Sequence, residues 1–256
     1  ELTALYAAND ITGLGNEAVS LSETISVANA NTVSALTTGA VTAALSEGDM
    51  STLAGLTETG NAYTVTVTDT SGVSASALTA LAGKTTVDVN ASAVTSVTGS
   101  VSELTALYAA NDITGLGNEA ISLSETSSVA NANTISGLTT GAVTATLTTG
   151  SLASFSALSE TGNAFTVSFT DTTEVSAIDL SGLAGKTTVN VDAASVDSFS
   201  GGFSEISNLY ASSNVLGLGS EAFTVTGTLT VNEANSLSAL TGSVVTGVIS
   251  QGAIST

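Results

Sequence analysis

Residues 62 to 90 read AYTVTVTDTSGVSASALTALAGKTTVDVN. The opening residues alternate, with Val65 and Val67 on one side and Thr66 and Thr68 on the other, which is the period of a strand with one dry face. Ser74 then precedes ASALTALAG, where Leu78 and Leu81 share a helical face. A serine N-cap, small helix-compatible residues and Gly83 as a stop predict a short helix there. TTVDVN resumes the alternation and predicts Val87 and Val89 inside, Asp88 and Asn90 outside. A strand, a short helix and another strand are expected to give parallel strands joined by right-handed crossovers, hence an α/β fold.

The pattern recurs along the whole chain. Residues 103–126, ELTALYAANDITGLGNEAISLSET, repeat residues 1–24 with the single change of Val19 to Ile121, and a more diverged copy starts at Glu205. The periods are therefore 1–102, 103–204 and a partial third over 205–256. Each full period divides into four units of about 24–28 residues, a length typical of structural repeats that bury their apolar edge only against neighbours. In the first period the L-x-x-L steps are Leu2/Leu5, Val33/Leu36, Leu53/Leu56 and Leu78/Leu81. Asp49 is a second N-cap and Gly39 a second stop. Val19, Leu21, Ala43 and Leu45 are expected inside; Ser20, Ser22, Ala44 and Ser46 are expected outside.

The fold expected is a parallel-strand α/β solenoid with four coils per 102-residue period. The alternative is a string of compact domains of about 100 residues each. Since no Pro-, Gly- or charge-rich linker separates the periods, the solenoid is favoured. The first unit of each period carries an insert, YAANDITGLGNEA, and the fourth an extension, AVTSVTGS; both are expected to project as ridges or to bend the axis. Glu1 aligns with Glu103, which is preceded by GSVS, and the closing QGAIST matches EGDMST at 47–52. The chain thus reads as a window of a longer polypeptide.

Composition narrows the function. Of 256 residues, 22 are acidic and only Lys84 and Lys186 are basic, for a net charge of -20. Such a surface repels phosphate backbones and anionic lipid, which argues against nucleic acid as a partner. No apolar run approaches the roughly 20 residues of a membrane span. Apolar residues make up 43% and aromatics 4%, so the core must be filled by aliphatic side chains. With no cysteine there is neither a disulfide framework nor a thiolate site.

Few constellations invite chemistry. GLGNEA at 13–18 spells a dinucleotide fingerprint, but it follows a helix and enters a strand, the reverse of the required order, so it reads as a structural turn. Gly83-Lys84-Thr85 and Gly185-Lys186-Thr187 lack the first glycine of a phosphate loop and read as helix ends with a lysine near the negative pole. Without His or Cys, catalysis would fall to carboxylates and the two lysines, and the acids recur once per unit instead of clustering, so no enzyme is expected. Aligned at their strand ends, Glu23, Glu47, Asp69, Glu125 and Asp171 form an acidic column. Stacked like charges call for water or a bridging cation, and calcium is the candidate. The outward threonines of TVTVTDT form no regular lattice from unit to unit.

From residue 61 through the start of the second period, the chain resembles the very long, acidic, Ala/Thr/Ser-rich repeat proteins of bacterial cell surfaces, particularly those of marine cyanobacteria. That resemblance rests on repeat style and spans essentially the whole chain. It implies a secreted or surface-attached protein concerned with adhesion, coats, filaments or surface motility, and it brings no active-site residues. The expectation is a structural segment of an extracellular surface protein whose partners are further repeats of the same polypeptide. The alternative is an adhesin-type module, calcium-dependent or binding surface polysaccharide through the insert loops.

Overall fold

The computed structural model describes residues 1–8 and 10–250; Asn9 of the first insert and the QGAIST end lie outside the described residues. The fold is α/β. Ten short helices alternate with sixteen strands among the described residues, and the strand pairs are parallel. Two compact units divide the chain.

The first unit comprises Glu1–Glu125 with Gly137–Gly141. Its elements are α1 (Leu2–Tyr6), β1 (Val19–Ile25), α2 (Val27–Ser34), β2 (Val41–Leu45), α3 (Met50–Leu53), β3 (Ala62–Thr64), β4 (Val73–Ser74), α4 (Ala75–Ala82), β5 (Val89–Asn90), β6 (Ser96–Gly99), α5 (Val101–Ala109), β7 (Ile113–Thr114) and β8 (Ala120–Leu123). Strands pair in the orders β1-β2-β3 and β4-β6-β8, with β5 beside β7. Partners such as Val19 and Val41, Thr42 and Ala62, or Ser96 and Ala120 sit 20 to 24 positions apart. A helix or turn between paired strands is what a parallel crossover requires.

The second unit comprises Thr126–Ser136 and Ala142–Thr256. It contains α6 (Val129–Ser136), β9 (Val143–Thr146), α7 (Leu152–Phe155), β10 (Ala164–Thr166), β11 (Val175–Ser176), α8 (Ala177–Ala184), β12 (Val191–Asp192), β13 (Ser198–Gly201), α9 (Phe203–Ala211), β14 (Val215–Leu216), β15 (Ala222–Leu229), α10 (Val231–Ser238) and β16 (Val245–Ile249). Here β9 pairs with β10, β12 with β14, and β11-β13-β15-β16 run in that order.

Local chemistry explains the helix starts. Ser74 Oγ accepts from the Ala77 N–H and Asp49 Oδ1 from the Thr52 N–H, as the capping pattern predicts. Ser100 and Glu103 cap α5 reciprocally. Gly83 does end α4, whereas Gly39 is not a helix stop: α2 finishes at Ser34 with Ala35 as its cap. Gly39 is instead needed because a Cβ there would overlap the Glu17 carbonyl, and Gly141 stands in the same relation to Glu119.

Alternation holds where it was clearest. Val65 and Val67 are fully buried, Val19, Ala43 and Val89 are buried, and Leu21 and Leu45 are half-buried. Val87 departs from the pattern and is 36% exposed. The cause is Thr85, whose side chain turns inward, accepts from the N–H groups of Tyr63 and Val87 and donates to the Tyr63 carbonyl. That side-chain turn delays the strand until Val89.

Buried polar groups are tied between neighbouring segments. Asn61 Oδ1 accepts from the Val41 N–H at 2.8 Å and its amide donates to Ser34 Oγ at 3.0 Å. One period later Asn163 makes the same two bonds with Val143 and Ser136. Such satisfaction is what lets a polar side chain remain in an interior filled by Leu, Val, Tyr63, Phe155, Phe165, Phe199 and Phe223.

The inserts and extensions are not free ridges. The extension forms β6, which lies between β4 and β8, and the insert carries β7, which pairs with β5. One period later the arrangement recurs, with β13 between β11 and β15 and with β14 on β12. An extended segment leaves backbone donors and acceptors in need of partners, and insert and extension supply them.

Candidate functional site

Each insert ends in a loop that wraps a carboxylate. In G-L-G-N-E, Gly115 and Gly117 adopt φ of +88° and +126°, a region open chiefly to glycine, and this bends the chain over the Glu119 side chain. Glu119 is 1% exposed and accepts hydrogen bonds from the Tyr108 hydroxyl and the Gly117 and Asn118 N–H groups. Tyr108 comes from α5, so the clasp ties helix to loop. Thr139 Oγ1 donates to the Glu119 carbonyl at 2.6 Å, adding a further segment of the first unit.

The clasp recurs with the sequence. Tyr210 reaches Glu221, which is 1% exposed and also takes the Gly219 and Ser220 N–H groups, while Thr241 holds its carbonyl. Tyr210 stands edge-on to Phe199 and Phe223, with ring centroids 6.3 and 5.3 Å away. In the first copy Tyr6 reaches Glu17, which takes the Gly15 and Asn16 N–H groups. The sequence carried the signal in the paired tyrosine and glutamate of YAANDITGLGNE, but the acidic residues of the strand ends drew the reading away from it.

Four of the five residues of the expected acidic column accept hydrogen bonds at helix starts. Glu47 accepts from the Val27 N–H at the start of α2 (3.1 Å), and Asp69 from the Met50 N–H at the start of α3 (2.6 Å). Glu125 accepts from the Val101 N–H at the start of α5 (2.9 Å), and Asp171 from the Leu152 N–H at the start of α7 (2.6 Å). Each carboxylate reaches back from a later segment to the positive end of an earlier helix. Glu23, the copy of Glu125 one period earlier, is exposed and makes no such bond among the described residues. No three Asp or Glu are gathered as metal ligands among the described residues.

Substituting Asp171 by asparagine removes the charge at the first N–H of α7 while keeping a hydrogen-bonding side chain. A loss of about 1 kcal/mol is expected, read from urea unfolding, because a capping carboxylate and its helix end interact on that scale. The same change at Glu23 is expected to be silent.

Lys84 and Lys186 follow the ends of α4 and α8, where a cation near the negative pole was expected. Their ammonium groups donate to carbonyls of an earlier segment, Lys84 to Thr57 at 3.0 Å and Lys186 to Ser159 at 3.3 Å. Each lysine sits at one end of an apolar groove between short helices, α3 and α4 in one case, α7 and α8 in the other.

These hydrogen bonds set the pH response. The Tyr6 hydroxyl, with the Gly15 N–H, holds Glu17 down at about 2, and the N–H groups of Ser100 and Thr230 lower Glu103 and Glu233. The hydroxyl of Ser51 lowers Asp49. A carboxylate depressed in the folded state stabilises fully above its unfolded value and loses that contribution as pH falls toward the folded value. Tyr6 is raised by its bond to Glu17, and Tyr210 by burial and then by Glu221, so their contribution is complete at neutral pH and is lost above about pH 10. Thermal melts in about 0.5 M salt, which screens self-repulsion, are expected to be flat from roughly pH 5 to 9. They should fall between about pH 4 and 2. A midpoint that rises on acidification would contradict this.

No helix is long and apolar enough to cross a membrane among the described residues. No family model, curated protein or solved structure matches the chain.

Proposed function

We propose that the chain is a structural segment of an extracellular bacterial surface protein, in which successive strand-helix coils stack as an α/β solenoid and serve as a spacer, coat or filament. One observation carries the reading: identical residues meet different fates according to what precedes them. Leu104 and Leu107 of α5 are 0% and 1% exposed, with α4 and β6 before them in the chain. Leu5 of α1, the counterpart of Leu107, is 44% exposed. Stacking of coils, in which each covers the apolar edge of the next, accounts for this difference. The carboxylates that reach back to earlier helix starts support the same reading. It gives the chain no catalytic role, and its natural partners are further repeats of the same polypeptide.

Length is the discriminating measurement. Inserting one further copy of residues 103–204 adds four strands to a stack spaced by about 4.8 Å, so the maximum dimension in small-angle scattering should grow by about 20 Å. A string of compact domains would grow by more than 30 Å, the approximate diameter of a 100-residue globule. The rival reading, a calcium-dependent adhesin, predicts a large rise in melting temperature with millimolar calcium over chelator. Because four of the five column carboxylates already serve helix starts, no appreciable shift is expected.

A further inference from the structure

On the exposed face of α8, opposite charges and an uncovered apolar side chain stand together. Ile178 is 57% exposed, Asp179 and Gly182 are exposed, and Lys186 is half-buried beside them. All four line a groove of about 270 Å³ whose floor includes Leu152, Phe155 and Leu183. Positions 178, 182 and 186 recur at helical spacing, so they share one face of α8 and its end.

The corresponding groove of the first period isolates what is special here. Met50, Leu53, Ala54, Ala77, Ala80, Leu81 and Lys84 line a volume of about 110 Å³. Their counterparts are Leu152, Phe155, Ser156, Asp179, Gly182, Leu183 and Lys186, so only the leucine and the lysine are kept. The second period thereby gains an acid, loses a methyl group at the middle of the helix, and replaces Ser76 by Ile178. The added acid does not serve the lysine within the chain: the Lys186 ammonium donates to the Ser159 carbonyl and makes no ion pair among the described residues.

We propose that this face pairs with the same face of a second copy of the chain, the two α8 helices running antiparallel and crossing at Gly182. Gly182 lies midway between Asp179 and Lys186, so a two-fold axis there sets each Asp179 opposite Lys186 of the second copy, twice over. A Cβ added at Gly182 would meet nothing within 4 Å, so the glycine is not required by its own fold and leaves the crossing point bare for a neighbouring helix. Ile178 of each copy fills the groove of the other, removing an apolar side chain from water. Charge selects the partner. At a net charge of -20, two copies repel over most of their surfaces, and this face matches itself. The inference rests on the structural reading above and adds to it a lateral contact between copies. A single helix pair buries less than a standard interface, so the contact is weak alone and gains strength when several copies are aligned.

Sedimentation equilibrium of the full chain at about 0.15 M salt, where charges are screened beyond roughly 8 Å, tests the pairing. Dimerisation with a dissociation constant on the order of 0.1–1 mM is expected. Lys186→Glu should weaken it at least about tenfold, Ile178→Ser should do likewise, and Asp179→Lys combined with Lys186→Glu should restore it to within about threefold. Circular dichroism melts of each variant separate loss of pairing from loss of fold. A chain that stays monomeric at about 1 mM, or an association indifferent to Lys186→Glu or not restored by the exchange of charges, overturns the proposal. A monomer that still lengthens by about 20 Å per added period would end this inference and leave the spacer reading standing.

Discussion

Glu119→Ala is expected to lower the stability of the first unit by about 3 kcal/mol, the cost of leaving several buried donors without an acceptor. For a protein of this size that corresponds to a fall in melting temperature on the order of 8 °C. The Tyr108 hydroxyl and the Gly117 and Asn118 N–H groups all converge on this carboxylate, and at 1% exposure water does not replace it. Tyr108→Phe, which withdraws one donor and leaves two, should cost less, about 1–2 kcal/mol. Glu17→Ala is the internal control. Its carboxylate is only half-buried and its tyrosine sits on the exposed α1, so the effect should be clearly smaller. Equal losses at both sites would show that the clasp contributes nothing beyond its local loop.

Hydrogen exchange offers a second large effect with an unusually clean reference. Residues 2–6 and 104–108 have the same sequence, LTALY, so their intrinsic exchange rates are nearly equal and differences report structure alone. In α5 both leucines are buried and Ser100 and Glu103 cap the helix; α1 exposes Leu5 and has no side-chain cap. Burying the two leucines is worth a few kcal/mol, so amides of α5 should be protected about a thousandfold more than those of α1. Comparable protection in the two helices would remove the central support for stacking, because it would mean that this helix holds itself together.

How much of this is legible in the sequence depends on how local the cause is. Ser74 and Asp49 were readable as caps because a cap is decided within four residues. Val65 and Val67 were readable as core because period-two alternation is a property of the strand itself. Val87 was misread because the same alternation was interrupted by Thr85, whose inward turn answers to Tyr63 in an earlier segment. The inserts look like ridges in the sequence because the partner of β7 is β5, the strand of the preceding unit, and only the fold brings Ile113 beside Val89.

The acidic residues show the same division. Their regular spacing was visible, and so was the need to offset their charge. What answers that need is the first N–H of an earlier helix, paired across some twenty residues, as with Glu47 and Val27 or Asp171 and Leu152. Buried Glu119 and Glu221 were passed over because a glutamate beside an asparagine or serine in a glycine-rich turn looks solvated, and only the packed tyrosine reveals it as interior.

The sequence by itself determined the α/β character, the parallel sense of the strands, the helix starts at Asp49 and Ser74 and the period of the chain, because those follow from residue spacing and from short-range capping. Tertiary structure alone decided which carboxylate meets which helix, which leucines leave water and where the lysines point. These are outcomes of contact between segments about twenty or more residues apart, and identical stretches such as 2–6 and 104–108 take different environments when their neighbours differ.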